Sequence, residues 1–219
     1  MLATRPSVRA PAASGGGGGR AGGARQPARA LGEFFRGGVK RSGGSAEKAE
    51  VLRLAEAQRR GVGHSAEDRA AMEAAIDALV VASGGGGGVA TSSERLTADW
   101  RLVWSSEQET LFLLEKFGGP DADAPTQAYQ AIDVDAATLS NSVCFSNGNV
   151  FVVESDIEVE GDTKVNFQFT SARLELVQPF KFTLNLPPFG QGWFDNIYVD
   201  DTMRVARDSR GDTLVVVRD

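Results

Sequence analysis

At 219 residues, 42% of them hydrophobic, the chain suits one globular domain of ordinary size plus an extension. Its net charge of −6 is split: residues 1–45 carry seven arginines, one lysine and a single acid, Glu33, a balance of +7 that leaves −13 on the remainder. A body that acidic repels a phosphate backbone and gains little from anionic headgroups, which argues against nucleic-acid binding and leaves membrane contact to apolar surface.

Residues 1–44 are rich in Ala, Gly, Arg and Ser and lack the apolar core of a secretory signal. That composition is the mark of an organelle transit peptide and predicts a disordered leader, although it does not separate plastid from mitochondrial import. A helix is predicted from Ser45, read as its N-cap, to about Arg60, with Val51, Leu54, Ala55 and Gln58 on one face. Ser65-Ala66-Glu67-Asp68 opens a second helix, with Ser65 as its cap and acids in the first turn. In it Met72, Ala75, Ile76, Leu79 and Val80 recur at helical spacing up to Gly84. The expected domains are therefore a leader (1–44), a helical hairpin (45–83), a Gly-rich linker (84–95) and a β domain (96–219). The glycine runs at 15–19 and 84–88 lack the Gly-Lys-Ser/Thr of a phosphate loop and read as flexible chain.

From Leu96 the period changes from helical to two. Trp100–Trp104, Tyr129–Val134, Leu139–Phe145, Val150–Val159, Val165–Leu176, Phe180–Leu186, Ile197–Val199, Met203–Val205 and Leu214–Val217 read as nine short strands. The links between them are too short for parallel crossovers, so an antiparallel barrel or sandwich is predicted. Asn147-Gly148 is a strong hairpin turn because both residues tolerate positive φ. Between the first two strands, Glu109–Phe117 is a short apolar segment that reads as a helical turn or lid, and its Leu111–Phe117 part as a candidate contact surface. Val165, Phe167 and Phe169 alternate with polar residues, as do Phe180, Phe182, Leu184 and Leu186. A closed sheet of about eight strands encloses either a packed core or one small ligand, and periodicity does not separate the two.

Catalytic and metal chemistry find little support. His64 is the only histidine and has no Cys or His companion for zinc. Cys144, the only cysteine, excludes an internal disulfide and reads as an inert mid-strand thiol. Asp133 with Asp135, and Asp156 with Glu158 and Glu160, read as polar faces of strands and do not match a calcium loop. Neither a catalytic residue nor a metal ligand nor a cofactor is assigned.

The C-terminal segment is the most diagnostic. Gly192-Trp193-Phe194-Asp195, Tyr198-Val199-Asp200-Asp201, Arg204-Val205-Ala206-Arg207, Gly211 and the last aliphatic strand resemble the tail signature of the plastid lipid-associated proteins, or plastid fibrillins. The first strand, Leu96 to Ser105, is similar to that family's Leu-x-Gly-x-Trp-x-Leu-x-Tyr-Thr, with Ala98, Trp104 and Ser105 as departures. Tyr129–Asp133, Asn141 and Phe182–Pro187 extend the similarity, which covers about residues 46–219.

The resemblance implies a lipocalin-like antiparallel barrel preceded by a helical hairpin, mainly β with a small α part. It also implies a plastid address at plastoglobules, thylakoids or stroma, and an apolar ligand such as a prenylquinone, a carotenoid or a fatty acid. Candidate interior contacts are Trp100, Trp104, Phe167, Phe169, Phe182, Leu184 and Trp193. Asp195, Tyr198, Asp200, Asp201, Arg204, Arg207 and Gly211 read as structural: Asp200 and Asp201 suit a turn, with Arg204 and Arg207 placed to answer their charge across the hairpin. The leading expectation is a non-enzymatic lipid binder or carrier. Its rivals are a structural coat or a scaffold docking on lipid particles or on a prenylquinone-pathway enzyme, and a small-barrel lipid isomerase or cyclase.

Overall fold

The computed structural model describes residues 44–84, 93–107, 126–177 and 181–219. The basic leader, the glycine run 85–88 and the Leu111–Phe117 segment lie outside the described residues. Helices α1 (Ser45–Ala57) and α2 (Ala66–Ala82), joined by a 3-10 turn at Arg59–Gly61, make the hairpin. Ser65 caps α2 as expected: its Oγ accepts from the Asp68 amide at 3.1 Å, and the Asp68 carboxylate accepts from the Ser65 amide at 3.0 Å. Ser45 does not cap α1; Gly44, at φ +97°, occupies that position without a side-chain bond. A one-turn helix, α3 (Ser93–Leu96), leads into the sheet.

Nine strands follow: β1 (Ala98–Ser105), β2 (Gln127–Asp133), β3 (Thr138–Cys144), β4 (Val150–Glu160), β5 (Lys164–Leu176), β6 (Phe182–Leu186), β7 (Gln191–Val199), β8 (Met203–Asp208) and β9 (Thr213–Arg218). Eight of them close an antiparallel barrel in the order β1-β2-β3-β4-β5-β7-β8-β9, with β9 back on β1. The length of β5 explains why β6 is left out. Its first half, Lys164–Gln168, pairs with β7, and its second half, Ala172–Leu176, pairs with β6. A register shift opposite Glu154/Ser155 separates the halves, and such bulges bend a strand. Beyond that bend β5 stays paired with β4 but parts from β7, and β6 rides on it as an appended edge.

Two further bulges decide which way side chains face. On β1, Leu102 pairs with Val216 but Trp104 pairs with Val215, so Val103 is the extra residue. On β7, Asn196 pairs with Ala206 but Tyr198 pairs with Val205, so Ile197 is extra. Each extra residue moves the following side chain to the opposite face. The buried residues accordingly form two clusters. One fills the barrel floor, with Leu96, Trp100, Leu102, Ile132, Val165 and Phe194 among its members. The other lies outside the barrel, between the helices and the wall, where Val51, Met72, Ile76 and Leu79 meet Trp104, Tyr198, Met203 and Val215.

Polar contacts fix the hairpin to that wall. Trp104 Nε1 donates to Gln58 Oε1 at 2.8 Å, and Gln58 Nε2 donates to the Asp68 carbonyl at 2.8 Å. Lys48 reaches Asp200 at 2.6 Å and also bonds Thr202. Arg207 binds Glu73 at 2.7 Å and Asp77 at 3.3 Å, both on α2. Burial alone would raise the Asp200 carboxyl, but bonds from Lys48, the Tyr198 hydroxyl and the Thr202 and Met203 amides hold it well below its ordinary value of 3.8. A depressed folded value gives stability that is complete above the unfolded value and drains away as pH falls through it toward the folded one. Asp200→Asn should therefore cost about 1–2 kcal/mol at pH 7. Urea denaturation between pH 7 and 2.5 should show the variant losing part of the acid sensitivity of the natural chain; equal slopes would refute the assignment.

Candidate functional site

The barrel is hollow above its floor. A cavity of about 630 Å³ opens at one end, within the range of small-molecule sites. Its wall is built from the inward-facing rows of the strands: Leu102, Ala128, Leu139, Val143, Phe151, Val153, Phe167, Phe169, Phe194, Leu214 and Val216. Two glycines keep it open. A Cβ on Gly192 would stand 2.8 Å from the Phe167 ring, and one on Gly190 would stand 2.6 Å from the Phe169 ring. With no side chain there, the two rings lie against the β7 end of the wall, stacked on each other at 5.4 Å. At the mouth Arg210 spans Glu107 at 2.7 Å, Asp208 at 3.3 Å and Asp212 at 4.0 Å.

Among the described residues, a cation lies buried within the barrel. Arg204 on β8 is fully buried. Its guanidinium sits 5.4 Å from the ring centres of both Trp100 and Phe194. Nη1 donates to Asn196 Oδ1 at 3.1 Å and Nη2 donates to Gln130 Oε1, while Nε has no acceptor. Both polar partners are neutral amides. Burial without a counter-charge pushes the guanidinium down to about 9. A second arginine, Arg218, closes the floor from outside: it lies 4.8 Å over Trp100 and donates to the carbonyls of Arg95, Thr97 and Asp201. Trp100 Nε1 itself donates to the Leu96 carbonyl at 2.9 Å.

The seven candidate interior residues divide. Trp100, Phe167 and Phe169 face inward, Trp100 in the floor and the two phenylalanines on the cavity wall. Trp104 does not; the β1 bulge turns it onto the helices. Trp193, beside inward Phe194, faces outward, with Lys164 Nζ 5.1 Å from its ring centre. Phe182 and Leu184 are not interior either, because β6 is outside the ring, and they are 58% and 42% exposed. The expected pairing of Arg204 and Arg207 with the Asp200–Asp201 turn is also corrected. Arg204 turns into the barrel and Arg207 reaches α2, while Lys48 answers Asp200.

The turn itself forms as expected. Asp200 Oδ1 accepts from the Thr202 and Met203 amides at 2.8 and 2.7 Å, and the Asp201 carbonyl accepts from Arg218. Asp195 accepts from the Thr163 hydroxyl at 3.3 Å, and Gly211, at φ +82°, makes the β8–β9 turn. His64 packs on Trp104 with ring centres 5.8 Å apart and its Nδ1 2.6 Å from the Gly61 carbonyl. Burial, then the charge of Glu175, raises the Cys144 thiol, which keeps it protonated and unreactive. The polar row formed by Arg204, Gln130, Asn141 and Asn196 was missed in the sequence, where each stands alone in a strand; its only signal is a polar residue at an inward position of an otherwise apolar alternation.

Gln130→Leu should cost roughly 1.5–3 kcal/mol by taking one of its two acceptors from a buried guanidinium. Adding Arg204→Met should restore most of it, since a buried charge replaced by apolar volume is often neutral. A double-mutant cycle in urea reads the coupling, and additive losses would refute it.

A family model, PAP_fibrillin, matches residues 46–217. The chain is 44% identical over 131 residues to the probable plastid-lipid-associated protein 11, chloroplastic, of Arabidopsis thaliana, a match covering 58% of each chain. It is 28% identical over 200 residues to the plastid-lipid-associated protein 6, chloroplastic, of the same plant, covering 78% of this chain and 69% of the relative. The chain thus spans under two thirds of the first relative's length. No solved structure matches.

Proposed function

This chain belongs to the PAP_fibrillin family, and we propose that it is a plastid protein that binds or carries one apolar lipid in its barrel without transforming it. The observation that carries this reading is the 630 Å³ cavity with an aliphatic and aromatic wall, open at one end. Burying the ligand's apolar surface there, at roughly 25 cal/mol per Å², supplies the drive. Holding fits the lumen better than chemistry, because Gln130 and Asn141 on its inner wall are amides that exchange no proton near neutral pH, and the carboxylates at its mouth are tied to Arg210. The plastid address follows the relatives' names and the Arg-rich, acid-poor leader.

Contact with a lipid surface has its own support. Phe182, Leu184 and Leu186 on β6, with Val177 and Phe189, form an exposed apolar group, Phe189 being 83% exposed and also part of the cavity mouth. None of the described helices is long and apolar enough to cross a membrane. In the proposal this appended edge rests on a plastoglobule or thylakoid surface and brings the mouth to the lipid phase. The same edge serves the coat or scaffold reading, which differs in needing no monomeric ligand.

Titration of intrinsic tryptophan fluorescence with a plastoquinone analogue or a fatty acid should give saturable one-to-one binding at micromolar concentration. Val153→Trp, which places an indole in the lumen, should weaken that binding at least tenfold (about 1.4 kcal/mol) with little change in Tm; unchanged binding would place the ligand elsewhere. In flotation with galactolipid vesicles, Phe182→Ser with Phe189→Ser should shift most of the protein from the floating to the soluble fraction. Equal flotation would remove β6 from the contact.

A further inference from the structure

We propose that the lumen takes its lipid head-first and selects one whose head is a carboxylate, received by the Asn141 amide at the end of a hydrogen-bond relay from Arg204. This inference rests on the lipid-binding reading above and narrows its ligand class.

The relay has only one possible direction. A guanidinium donates and never accepts, so the amide oxygen of Gln130 must face Arg204. That leaves Gln130 Nε2 as the donor to Asn141 Oδ1, at 2.9 Å. The Asn141 NH₂ group is then the free end. Asn141 lines the cavity, between Leu139 and Val143 on the inward face of β3. No acceptor among the described residues takes its Nδ2 hydrogens. Asn196 obeys the same logic on the other side: its oxygen accepts from Arg204, and its Nδ2 donates to the Thr163 carbonyl at 3.0 Å. The orientation of all three amides thus follows from the chemistry of arginine, and of their NH₂ groups that of Asn141, on the cavity wall, is the one given no acceptor.

The charge count leads to the same head group. Buried charges are ordinarily paired, and removing one from water without a partner is costly. Arg204 contacts two amides and two aromatic faces, and its Nε is unsatisfied. Ser155, which stands opposite inward-facing Leu139 on the lumen side of β4, also holds a buried hydroxyl without a partner. Among the described residues no carboxylate therefore answers Arg204, and donors around it are to spare. A neutral polyene or hydrocarbon leaves the charge unanswered and the Asn141 donor unused, whereas a carboxylate at Asn141 takes that donor and supplies a negative charge at the end of the relay. At the mouth Arg210 spans Glu107, Asp208 and Asp212, a rim that stays net acidic and offers a carboxylate no site, so the cation without a counter-charge lies at depth. Polarisation along a chain of hydrogen bonds in a low dielectric strengthens the terminal donor.

The test compares oleate with methyl oleate on the full chain at pH 8, by displacement of a fluorescent lipid probe, in the natural chain and in Asn141→Leu. Oleate should bind about tenfold or more tightly than its methyl ester, the scale of one charge-assisted hydrogen bond. Asn141→Leu should bring the two ligands within about threefold, chiefly by weakening oleate, and because it also takes the acceptor from Gln130 Nε2 a modest fall in Tm should accompany it. Equal binding of oleate and methyl oleate by the natural chain would overturn the carboxylate inference and leave the lipid-binding reading standing. So would a preference that survives in Asn141→Leu. Binding of neither ligand would overturn the lipid-binding reading, and this inference with it.

Discussion

Strands β1, β9, β8 and β7 form a wall that packs apolar side chains on both faces, and this constraint organises the molecule. A sheet in contact with water on one side needs only alternation. A wall packed on both sides needs apolar residues on both, and a change of facing where the helices end and the lumen begins. The extra residues Val103 and Ile197 supply that change. They place Trp104 and Tyr198 against α1 and α2 while Leu102 and Asn196 stay inside. Because the outer seam is a full hydrophobic cluster of its own, the barrel does not depend on a packed interior along its whole length. A cavity within it forfeits apolar contacts that the seam supplies elsewhere.

Charge is distributed on the same plan. The acids and arginines crowded into residues 195–212 belong to three different environments. Asp200 ties its own turn and anchors α1 through Lys48. Arg207 anchors α2 through Glu73 and Asp77. Arg204, only three residues before Arg207, is on the opposite face of β8 and inside the barrel. Alternation along one strand therefore separates a surface clasp from a buried cation. The clasps are partly exposed and contribute modestly, serving chiefly to set the angle of the hairpin. The buried cation is a net cost to folding unless something in the lumen answers it.

The long β5 couples the lumen to the surface. Half of it belongs to the ring and half carries β6, so the exposed apolar edge is a direct extension of the lumen wall. Phe189 is both the most exposed large apolar residue among those described and a part of the mouth. A ligand leaving a lipid phase against this edge would meet apolar surface continuously from the contact to the cavity.

The residues by themselves determined the nine strands, the turn at Asn147-Gly148, the Ser65 capping box and the family, because each rests on local chemistry: alternation, positive φ, a reciprocal bond three residues apart, a run of signature residues. They also marked Gln58 as part of a buried face. Facing across β1 and β7 was not legible, since a bulge is a property of two paired strands and a single strand with strict alternation looks the same with or without one. Phe182 and Leu184 alternate as an interior strand does, yet only the pairing of β5 with two successive partners shows that their strand lies outside the ring. The role of Arg204 was hidden for the same reason. Its neighbours Asp200 and Asp201 are near in sequence, whereas Gln130 and Asn196 become its partners only when the barrel closes and the desolvation of its charge makes those amides obligatory. Tertiary structure alone decided that the lumen is open, because the volume enclosed by a ring of strands depends on how far Phe167 and Phe169 can withdraw over Gly192 and Gly190, a distance that no alternation pattern encodes.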